Sequence, residues 1–112
     1  MTEDKCLAKP KGLSPRGSMA YVAIMKFLEA RDLTNSGGCR VFYSPEEWAE
    51  RGEDYGRKSL LVVVHDGGDH AQAFNMDYER YELCEAMQKA LYAVGCFAEQ
   101  CTSWYSAIYE VG

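Results

Sequence analysis

The stretch that decides the fold is RKSLLVVVH, residues 57–65. It contains a run of five aliphatic side chains, and the last three of them are consecutive valines. A strand with one face in water alternates polar and apolar side chains, whereas an unbroken β-branched run is typical of a strand buried on both faces. We therefore predict a central strand over residues 57–65, inside a sheet that is covered by helices.

A tail, a helix and a short strand are predicted before this central strand. Residues 1–18 contain two prolines, two glycines and few apolar side chains, which is typical of a flexible tail. Apolar side chains then recur at helical spacing over residues 19–31, which predicts a helix. The run CRVFY, residues 39–43, predicts a strand. A single α/β domain is accordingly expected over residues 19–112.

The best-defined local signal is a helix start at Ser44. Ser44 suits the N-cap, the proline after it suits the first helical position, and Glu47 stands where a capping box places its carboxylate. Tyr43 and Trp48 occupy the two positions of a hydrophobic staple. These signals predict a short helix over residues 45–51.

The C-terminal third is predicted to form one long helix and two strands. An apolar stripe at helical spacing predicts a helix over residues 78–94, which Asp77 would cap and Gly95 would end. Residues 96–101 and 104–111 are predicted strands joined by a tight turn.

The order of these elements, α-β-α-β-α-β-β, contains two strand–helix–strand units. Such units usually make parallel, right-handed crossovers, whereas the last two strands follow each other directly and should pair antiparallel. We therefore predict a small α/β (α+β) fold in which helices pack on a mixed four-stranded sheet.

Length and charge restrict the class of protein. The chain has 112 residues, which is enough for one domain, and its formal net charge is −5. The first 43 residues carry seven basic and four acidic side chains (+3), and the remainder carries five basic and thirteen acidic ones (−8). No direct nucleic-acid partner is expected, because such a surface needs clustered basic side chains. An acidic surface fits either plain solvation or a basic protein partner.

Apolar runs and cysteines exclude further classes. The longest aliphatic run has five residues, whereas a membrane-spanning helix needs roughly 20. The first residues show no apolar signal-peptide core, so no membrane partner is expected and the default location is cytoplasmic. The five cysteines include no CxxC pair, which favours reduced, interior thiols over disulfides or a zinc site. No metal and no cofactor is predicted.

Candidate chemistry lies where the first two predicted strands end, because parallel strands bring their carboxyl ends to one edge of a sheet. Tyr43 and Ser44 follow the first strand, and the loop HDGGDH follows the second. The polar residues of that loop are His65, Asp66, Asp69 and His70. Such side chains could bind a metal ion or activate water. The loop lacks the HExxH spacing and a distant third ligand, so a solvated turn is the alternative.

Aromatic side chains form a second candidate surface. Along the predicted strand 104–111, Tyr105 and Tyr109 share one face and Trp104 lies on the other. The alternatives are packing in the core and an exposed patch for protein contact, because Trp and Tyr often anchor interfaces. As an edge strand, the same segment could pair with its twin in a homodimer.

Three segments resemble a group of short proteins found in phages, plasmids and bacterial genomes. They are YSPEEW (residues 43–48), VHDGGD (residues 64–69) and EQCTSWYSAIY (residues 99–109). The group has no established activity, so the resemblance implies a mobile-element origin and assigns no catalytic residue. Small acidic proteins of such origin often bind a host protein, including as inhibitors of defence systems.

Two functions stay open at this point. The first is a small acidic protein that binds a host protein through its acidic helical surface and exposed aromatic side chains. The second is a metal- or small-ligand-binding domain with hydrolytic activity at residues 65–70. The binding protein is preferred to the enzyme, and no catalytic residue is assigned.

Overall fold

The predicted central strand lies in the interior of a four-stranded sheet. A computed structural model, which describes residues 5–112, gives the strand order β1-β2-β4-β3. The strands are β1 (Phe42–Tyr43), β2 (Leu61–Val64), β3 (Cys96–Gln100) and β4 (Tyr105–Glu110). The first three residues of β2 expose none of their surface, which confirms a strand covered on both faces. With the helices packed on this sheet, the small α/β (α+β) fold is confirmed.

All three strand pairs are antiparallel, so the expected parallel pairing is wrong. Val64 lies opposite Tyr105, and Tyr43 lies opposite Val62. The chain does cross over from β2 to a strand of the same direction, β3, but β4 inserts between the two. A short hairpin joins β3 to β4, so these two strands pair first along the chain. The other edge of β4 then pairs with β2. Residues 44–60 connect β1 to β2 as an antiparallel neighbour and do not form the crossover that a parallel pair would need.

Most helices pack on one face of the sheet, which we call the first face. The helices are α1 (Pro15–Ala30), α2 (Pro45–Glu50), α3 (Ala71–Phe74) and α4 (Tyr81–Tyr92), with two 3-10 helices at Lys5–Leu7 and Met76–Tyr78. The first face joins Ile24 and Leu28 of α1 and Leu91 of α4 to Leu61 and Ile108 of the sheet. All five of these side chains are fully buried, so this layer is the main hydrophobic core.

Helix α1 begins at Pro15, four residues earlier than predicted, because its first turn has its own cap and contact. The Ser14 hydroxyl accepts a hydrogen bond from the Gly17 amide at 3.0 Å. A Cβ atom on Gly17 would lie 2.7 Å from the carbonyl oxygen of Leu60, so glycine lets the helix approach the chain that leads into β2. The domain boundary expected at residue 19 therefore falls inside a helix.

Part of the predicted tail packs against the domain. Leu7 is 6% exposed and belongs to the main core. Its carbonyl oxygen accepts a hydrogen bond from the Tyr21 hydroxyl at 2.6 Å, and the carbonyl of Cys6 accepts one from the Val41 amide at 2.9 Å. Residues 1–4 of the predicted tail lie outside the described residues.

Helix α2 covers the opposite face of the sheet, which we call the second face. Its capping box is present as predicted, with the Ser44 hydroxyl bound to the Glu47 amide and the Glu47 carboxylate bound to the Ser44 amide. The helix ends one residue before the predicted boundary. Trp48 is fully buried, and its ring centroid lies 5.0 Å from that of Tyr43 and 4.9 Å from that of Tyr105. A second, smaller core therefore forms around one tryptophan.

The long helix predicted over residues 78–94 is divided at its start. Asn75 adopts an extended conformation, its side chain caps the 3-10 helix, and Glu79 follows with a φ of 59° in the left-handed region. These two residues interrupt the helix, so α4 begins only at Tyr81. α4 ends at Tyr92, two residues before the predicted end at residue 94, and Gly95 follows with a φ of 77° that suits a helix stop.

Two further expectations concern helices and cysteines. Among the helices of residues 5–112, none combines the length and the apolar character that crossing a membrane requires. The five cysteines are all free thiols. Cys84 and Cys96 are buried, as predicted, whereas Cys39 is exposed.

Candidate functional site

The two segments expected to converge on one site lie at opposite ends of the sheet. In an antiparallel pair, the last residue of one strand lies beside the first residues of the other. Tyr43 at the end of β1 accordingly faces Val62, near the start of β2, whereas His65 follows the end of β2. Ser44 is 3% exposed and serves as the cap of α2. The predicted grouping of Tyr43 and Ser44 with the HDGGDH loop is therefore wrong.

His65 is an interior residue. Its imidazole is 1% exposed, stacks parallel to the Phe74 ring at 6.1 Å, and places Nε2 2.9 Å from the Ser106 hydroxyl oxygen. Burial disfavours the charged imidazolium and lowers the pKa of His65 from 6.5 to about 4. At neutral pH the ring is uncharged and holds the end of β2 against β4.

His70 completes the hydrogen bonding of β2. It is 1% exposed, and its Nε2 donates to the carbonyl oxygen of Val64 at 2.7 Å. The amide of Val41, which would bind that carbonyl in a regular ladder, donates instead to Cys6 at 2.9 Å. The imidazole therefore takes the place of a strand neighbour, and burial lowers its pKa as well.

The glycine pair in HDGGDH lies where this loop contacts the loop that contains Asn35 and Ser36. A Cβ atom on Gly68, whose φ is +83°, would lie 2.7 Å from the Ser36 carbonyl oxygen. The Asp69 amide donates to the Asn35 carbonyl at 2.8 Å and fixes the same contact. Gly67 takes a φ of +94° with nothing near its would-be Cβ. The close approach is thus to the chain's own backbone.

The carboxylates of this loop do not join the histidines in a ligand set. Asp66 is exposed and Asp69 is half-buried, while both histidines are bonded to the protein through Nε2. Within residues 5–112 no three side chains of His, Cys, Asp or Glu are grouped so as to hold a metal ion. The predicted site residues His65 and His70 therefore act as scaffold for the loop.

The aromatic residues of the last strand divide between core and surface. Tyr105 is 1% exposed, and its hydroxyl donates to the Tyr55 carbonyl at 3.3 Å. Trp104 is half-buried with its ring centroid 4.7 Å from that of Tyr105. Tyr109 is half-buried beside Phe97 at 5.8 Å. As predicted, Tyr105 and Tyr109 share one sheet face, the second face. The expected placement of Trp104 on the opposite face is wrong, because Trp104 precedes β4 and its ring centroid lies 5.7 Å from that of Trp48 in the second core.

The homodimer expected through strand 104–111 is contradicted by the topology. β4 pairs with β2 along one side and with β3 along the other. Its backbone groups are therefore already used, and no strand of a second copy can add to it. The sheet edges are β1 and β3.

An exposed segment with three large side chains follows helix α3, at residues 76–82. All seven of its residues are exposed, and three of them carry large side chains. Met76 exposes 48% of its surface, Tyr78 47% and Tyr81 53%. The sequence pattern predicts a helix over residues 78–94 that includes both tyrosines, with Tyr81 in its apolar stripe, so this exposed surface is not predicted from the sequence. The signal that could have revealed it is Asn75, which stands two residues before Asp77 as in an Asx turn.

A hydrogen-bond network fixes the base of the 76–82 segment. Asn75 is 6% exposed; its Oδ1 accepts from the Asp77 amide at 2.9 Å and from Gln100 Nε2 at 3.0 Å, and its Nδ2 donates to the Ser103 carbonyl at 2.9 Å. Gln100 Oε1 also accepts from the Met76 amide at 3.1 Å. The segment is therefore tied to β3 and to the β3–β4 turn.

The charge around this segment is negative. Acidic residues alternate with the large side chains, and Glu85 lies one turn further along α4. The acidic residues are Asp77, Glu79, Glu82 and Glu85. Arg80, the one basic residue between them, donates to Gln72 Oε1 at 2.6 Å. The 76–82 segment thus combines exposed aromatic surface with a net negative field.

A second apolar feature lies on the outer side of α1. It is an open groove of about 440 Å³, lined by Ser18, Met19, Val22, Ala23, Lys26 and Val94. Met19 and Val22 each expose 45% of their surface. The groove has no aromatic residue and one positive charge, so it differs in chemistry from the 76–82 segment.

No protein-family model matches the chain, and neither a curated protein nor a solved structure shows significant similarity to it.

Proposed function

We propose that this protein acts by binding another protein through the 76–82 segment. The observation that carries the proposal is the run of seven consecutive exposed residues in which Met76, Tyr78 and Tyr81 stand on an anchored base. Tyrosine and methionine are enriched in protein interfaces, where a few such side chains supply most of the binding energy. The partner therefore needs apolar pockets for these side chains.

Anchoring of the segment supports binding in the proposed mode. A flexible loop loses conformational entropy when a partner orders it, and that loss weakens the complex. Here Asn75 and Gln100 hold both the backbone and the base of the segment before any partner arrives. Glu79, at the centre of the segment, takes a left-handed φ of 59° that separates the 3-10 helix from α4. The exposed side chains are thus presented on a preformed turn.

Charge supports a basic partner surface. The chain carries −8 from residue 44 onward, and four of the thirteen acidic residues flank the exposed tyrosines. Complementary charge raises the association rate and disfavours acidic partners, and salt weakens both effects. A mobile-element origin, as the resemblance implies, would make the partner a host protein, and occupation of a functional host surface would inhibit that protein.

The test compares two pairs of exposed tyrosines. The double variant Tyr78→Ala/Tyr81→Ala removes the proposed anchors, whereas Tyr55→Ala/Tyr92→Ala removes two tyrosines that are 59% and 58% exposed elsewhere. Immobilised wild-type protein and both variants are incubated with a bacterial lysate in about 0.1 M and about 0.5 M salt. A protein retained by the wild type is then purified, and its affinity for each variant is measured.

We expect the first double variant to raise the dissociation constant at least about tenfold, and the second to change it less than about twofold. High salt should weaken the wild-type complex. Equal loss of affinity in both variants, or an unchanged affinity in Tyr78→Ala/Tyr81→Ala, would show that the 76–82 segment is not the binding surface.

The hydrolytic alternative at residues 65–70 lacks a comparable supporting observation, since His65 and His70 are buried and bonded to Ser106 and Val64. Its test is a thermal shift with divalent metal ions. A shift that is lost in Asp66→Ala and Asp69→Ala would show that this loop binds a metal ion, as that alternative requires.

A further inference from the structure

Two buried histidines lie at the end of β2, and protein binding through the 76–82 segment gives them no direct role. His65 and His70 are each 1% exposed, and each ring bonds to the sheet through Nε2, His65 to Ser106 and His70 to the Val64 carbonyl. Within the described part of the chain, the Nδ1 atoms of both rings are buried and have no hydrogen-bond partner. A proton on either Nδ1 would therefore place a positive charge and an N–H donor where the described chain offers no acceptor.

The charges around the two rings do not compensate for such protons. A positive charge on His70 repels one on His65, because the two rings are close enough to interact. The carboxylates that favour the charged rings are Asp66 for His65 and Asp69 for His70, but Asp66 is exposed and Asp69 is half-buried. The contacts that β2, β4 and α3 make with the rings are uncharged. Burial therefore dominates, and the pKa of both histidines lies below its ordinary value.

The histidines are linked to the 76–82 segment through α3. Phe74 is 5% exposed and stacks on the His65 ring at 6.1 Å. Asn75 follows directly, and its amide donates to the Ala71 carbonyl at 2.8 Å. The Asn75 side chain in turn fixes the base of the 76–82 segment. Displacement of the two rings would therefore move Asn75, and the 76–82 segment would lose its anchor.

The sheet depends much less on this part of the chain. Residues 65–75 contribute only Ala73 and Phe74 to the buried side chains of the main core, and the helices α1 and α4 and the strands supply most of the others. The strand pairs themselves do not include residues 65–75. Loops of this kind can open locally at a lower free energy than global unfolding requires.

We propose that His65 and His70 form an acid-sensitive switch that regulates the 76–82 segment. Protonation of the two rings detaches residues 65–75 from the sheet, and the 76–82 segment then loses its preformed shape while the sheet stays paired. In the detached loop both rings are hydrated and bind protons near their ordinary value of about 6.5, so acid favours the detached state. The effect on partner binding rests on the proposed function, whereas the detachment itself does not.

Hydrogen exchange from about pH 7 to about pH 5 tests the detachment in the wild-type protein. Protection factors correct for the intrinsic pH dependence of exchange and report how often each amide opens. The amides of Asp69 and Asp77 report on the loop and the segment, because they donate to Asn35 and Asn75. The Leu60 amide, which donates to β4 at 2.7 Å, reports on the sheet.

Proton linkage gives the expected size of the effect. Burial lowers the pKa of His65 to about 4, so this residue alone should raise the detached fraction about twentyfold between about pH 7 and about pH 5. The protection of the Asp69 and Asp77 amides should fall by at least this factor, and at about pH 5 the Leu60 amide should stay at least about a hundredfold better protected. Protection that is equal in all three amides would show global unfolding. Protection of the Asp69 and Asp77 amides that does not vary with pH would show an opening without the histidines. Either result overturns the proposal.

The variant His65→Gln/His70→Gln tests whether the two rings cause the effect. Glutamine can still bond to Ser106 and to the Val64 carbonyl, but it does not titrate. The protection of the two reporter amides should then vary less than about threefold over the same pH range. The single variants, which each keep one ring, should show a weaker pH dependence than the wild type, so the test does not depend on the double variant alone. A pH dependence like that of the wild type in all three variants would overturn the proposal.

Partner affinity over the same pH range separates this inference from the proposed function. If the 76–82 segment binds the partner, the affinity of the wild type should fall in acid, and His65→Gln/His70→Gln should keep the affinity that it has at neutral pH. An equal fall in both proteins would overturn the regulatory role. An affinity that Tyr78→Ala/Tyr81→Ala leaves unchanged would reject the binding segment instead, while the exchange measurements would still decide whether acid detaches residues 65–75.

Discussion

Two neighbouring segments of this chain do the opposite of what their residue types suggest: the polar segment is largely buried, and the segment with large apolar side chains is exposed. Residues 65–74 contain both histidines, two aspartates and a glycine pair, yet His65, His70 and Phe74 are buried. Residues 76–82 carry a helix-like pattern with two tyrosines, yet all seven residues are exposed. One residue, Asn75, separates the two segments.

The difference shows that position relative to the sheet decides what a residue does. His65 follows the buried strand β2. The polar side-chain groups of His65 and His70 are also buried, and such groups need hydrogen-bond partners. Each imidazole bonds through Nε2, His65 to Ser106 and His70 to the Val64 carbonyl, while the Nδ1 of both rings is buried without a partner among the described residues. After Asn75 the chain has left the core, and large side chains there have no interior to enter. Residue types that suggest chemistry are scaffold in the first segment, and residue types that suggest a core form surface in the second.

The largest effect is expected at the glycine pair of the first segment, residues 65–74, where substitution tests whether that segment is scaffold. Gly68→Ala should destabilise the protein by about 3 to 5 kcal/mol, because the added Cβ meets the Ser36 carbonyl and φ is positive. Gly67→Ala is the matched control and should cost only about 1 to 2 kcal/mol, since its Cβ meets open space. Urea denaturation measures both values. Equal costs would contradict the close loop contact.

The second prediction uses acid to test the buried histidine. Unfolded His65 takes up a proton near pH 6.5, whereas the folded residue has a pKa of about 4. The unfolded state therefore binds more protons between these values, and stability falls as the pH drops from about 6.5 to about 4. The difference corresponds to roughly 3 kcal/mol.

The control for this prediction is His65→Gln, which keeps a hydrogen-bonding group toward Ser106 and does not titrate. Urea midpoints of both proteins are measured from about pH 7 to about pH 4. The variant should show a distinctly flatter profile. Profiles of equal slope would indicate that His65 is not the residue that takes up the proton.

The third prediction concerns the anchor between the segments. Asn75→Ala removes three hydrogen bonds of a buried side chain and should cost about 1 to 3 kcal/mol. It should also loosen the 76–82 segment, so that the amides of Met76 and Asp77 exchange faster with solvent. Hydrogen exchange followed by NMR measures this directly. Unchanged exchange of both amides would mean that the segment is held by other contacts.

The smallest effect is expected in the second segment itself. Tyr78→Ala and Tyr81→Ala should each change the free energy of unfolding by less than about 0.5 kcal/mol, because about half of each side chain is in solvent. Thermal and urea denaturation of the single variants test this. A cost above about 1 kcal/mol would show that the tyrosine packs on the domain, and the segment would then not be a free binding surface.

Local signals in the sequence predicted local structure well. The unbroken run in β2, the capping box from Ser44 to Glu47 and the stop at Gly95 depend only on neighbouring residues, and all three are present.

Features that depend on distant parts of the chain could not be predicted in this way. The insertion of β4 between β2 and β3 depends on pairing across more than forty residues, as between Val64 and Tyr105. The Gly68 contact depends on Ser36, and the burial of His70 depends on the end of β2. The sequence predicts a candidate site at His65 and His70, which the fold buries, and it does not predict the exposure of residues 76–82.

The position of β4 also determines when the protein can fold during its synthesis. β4 follows every other strand in chain order, yet in the described part of the chain it is the sole partner of β3 and the main partner of β2. When synthesis has reached only β3, the valines of β2 can pair with the two residues of β1, and the strand partner on their other side is still missing. Until the β3–β4 hairpin emerges, the nascent chain must keep its most apolar strand from associating wrongly. The sheet of this domain therefore cannot be completed before β4 has been synthesised.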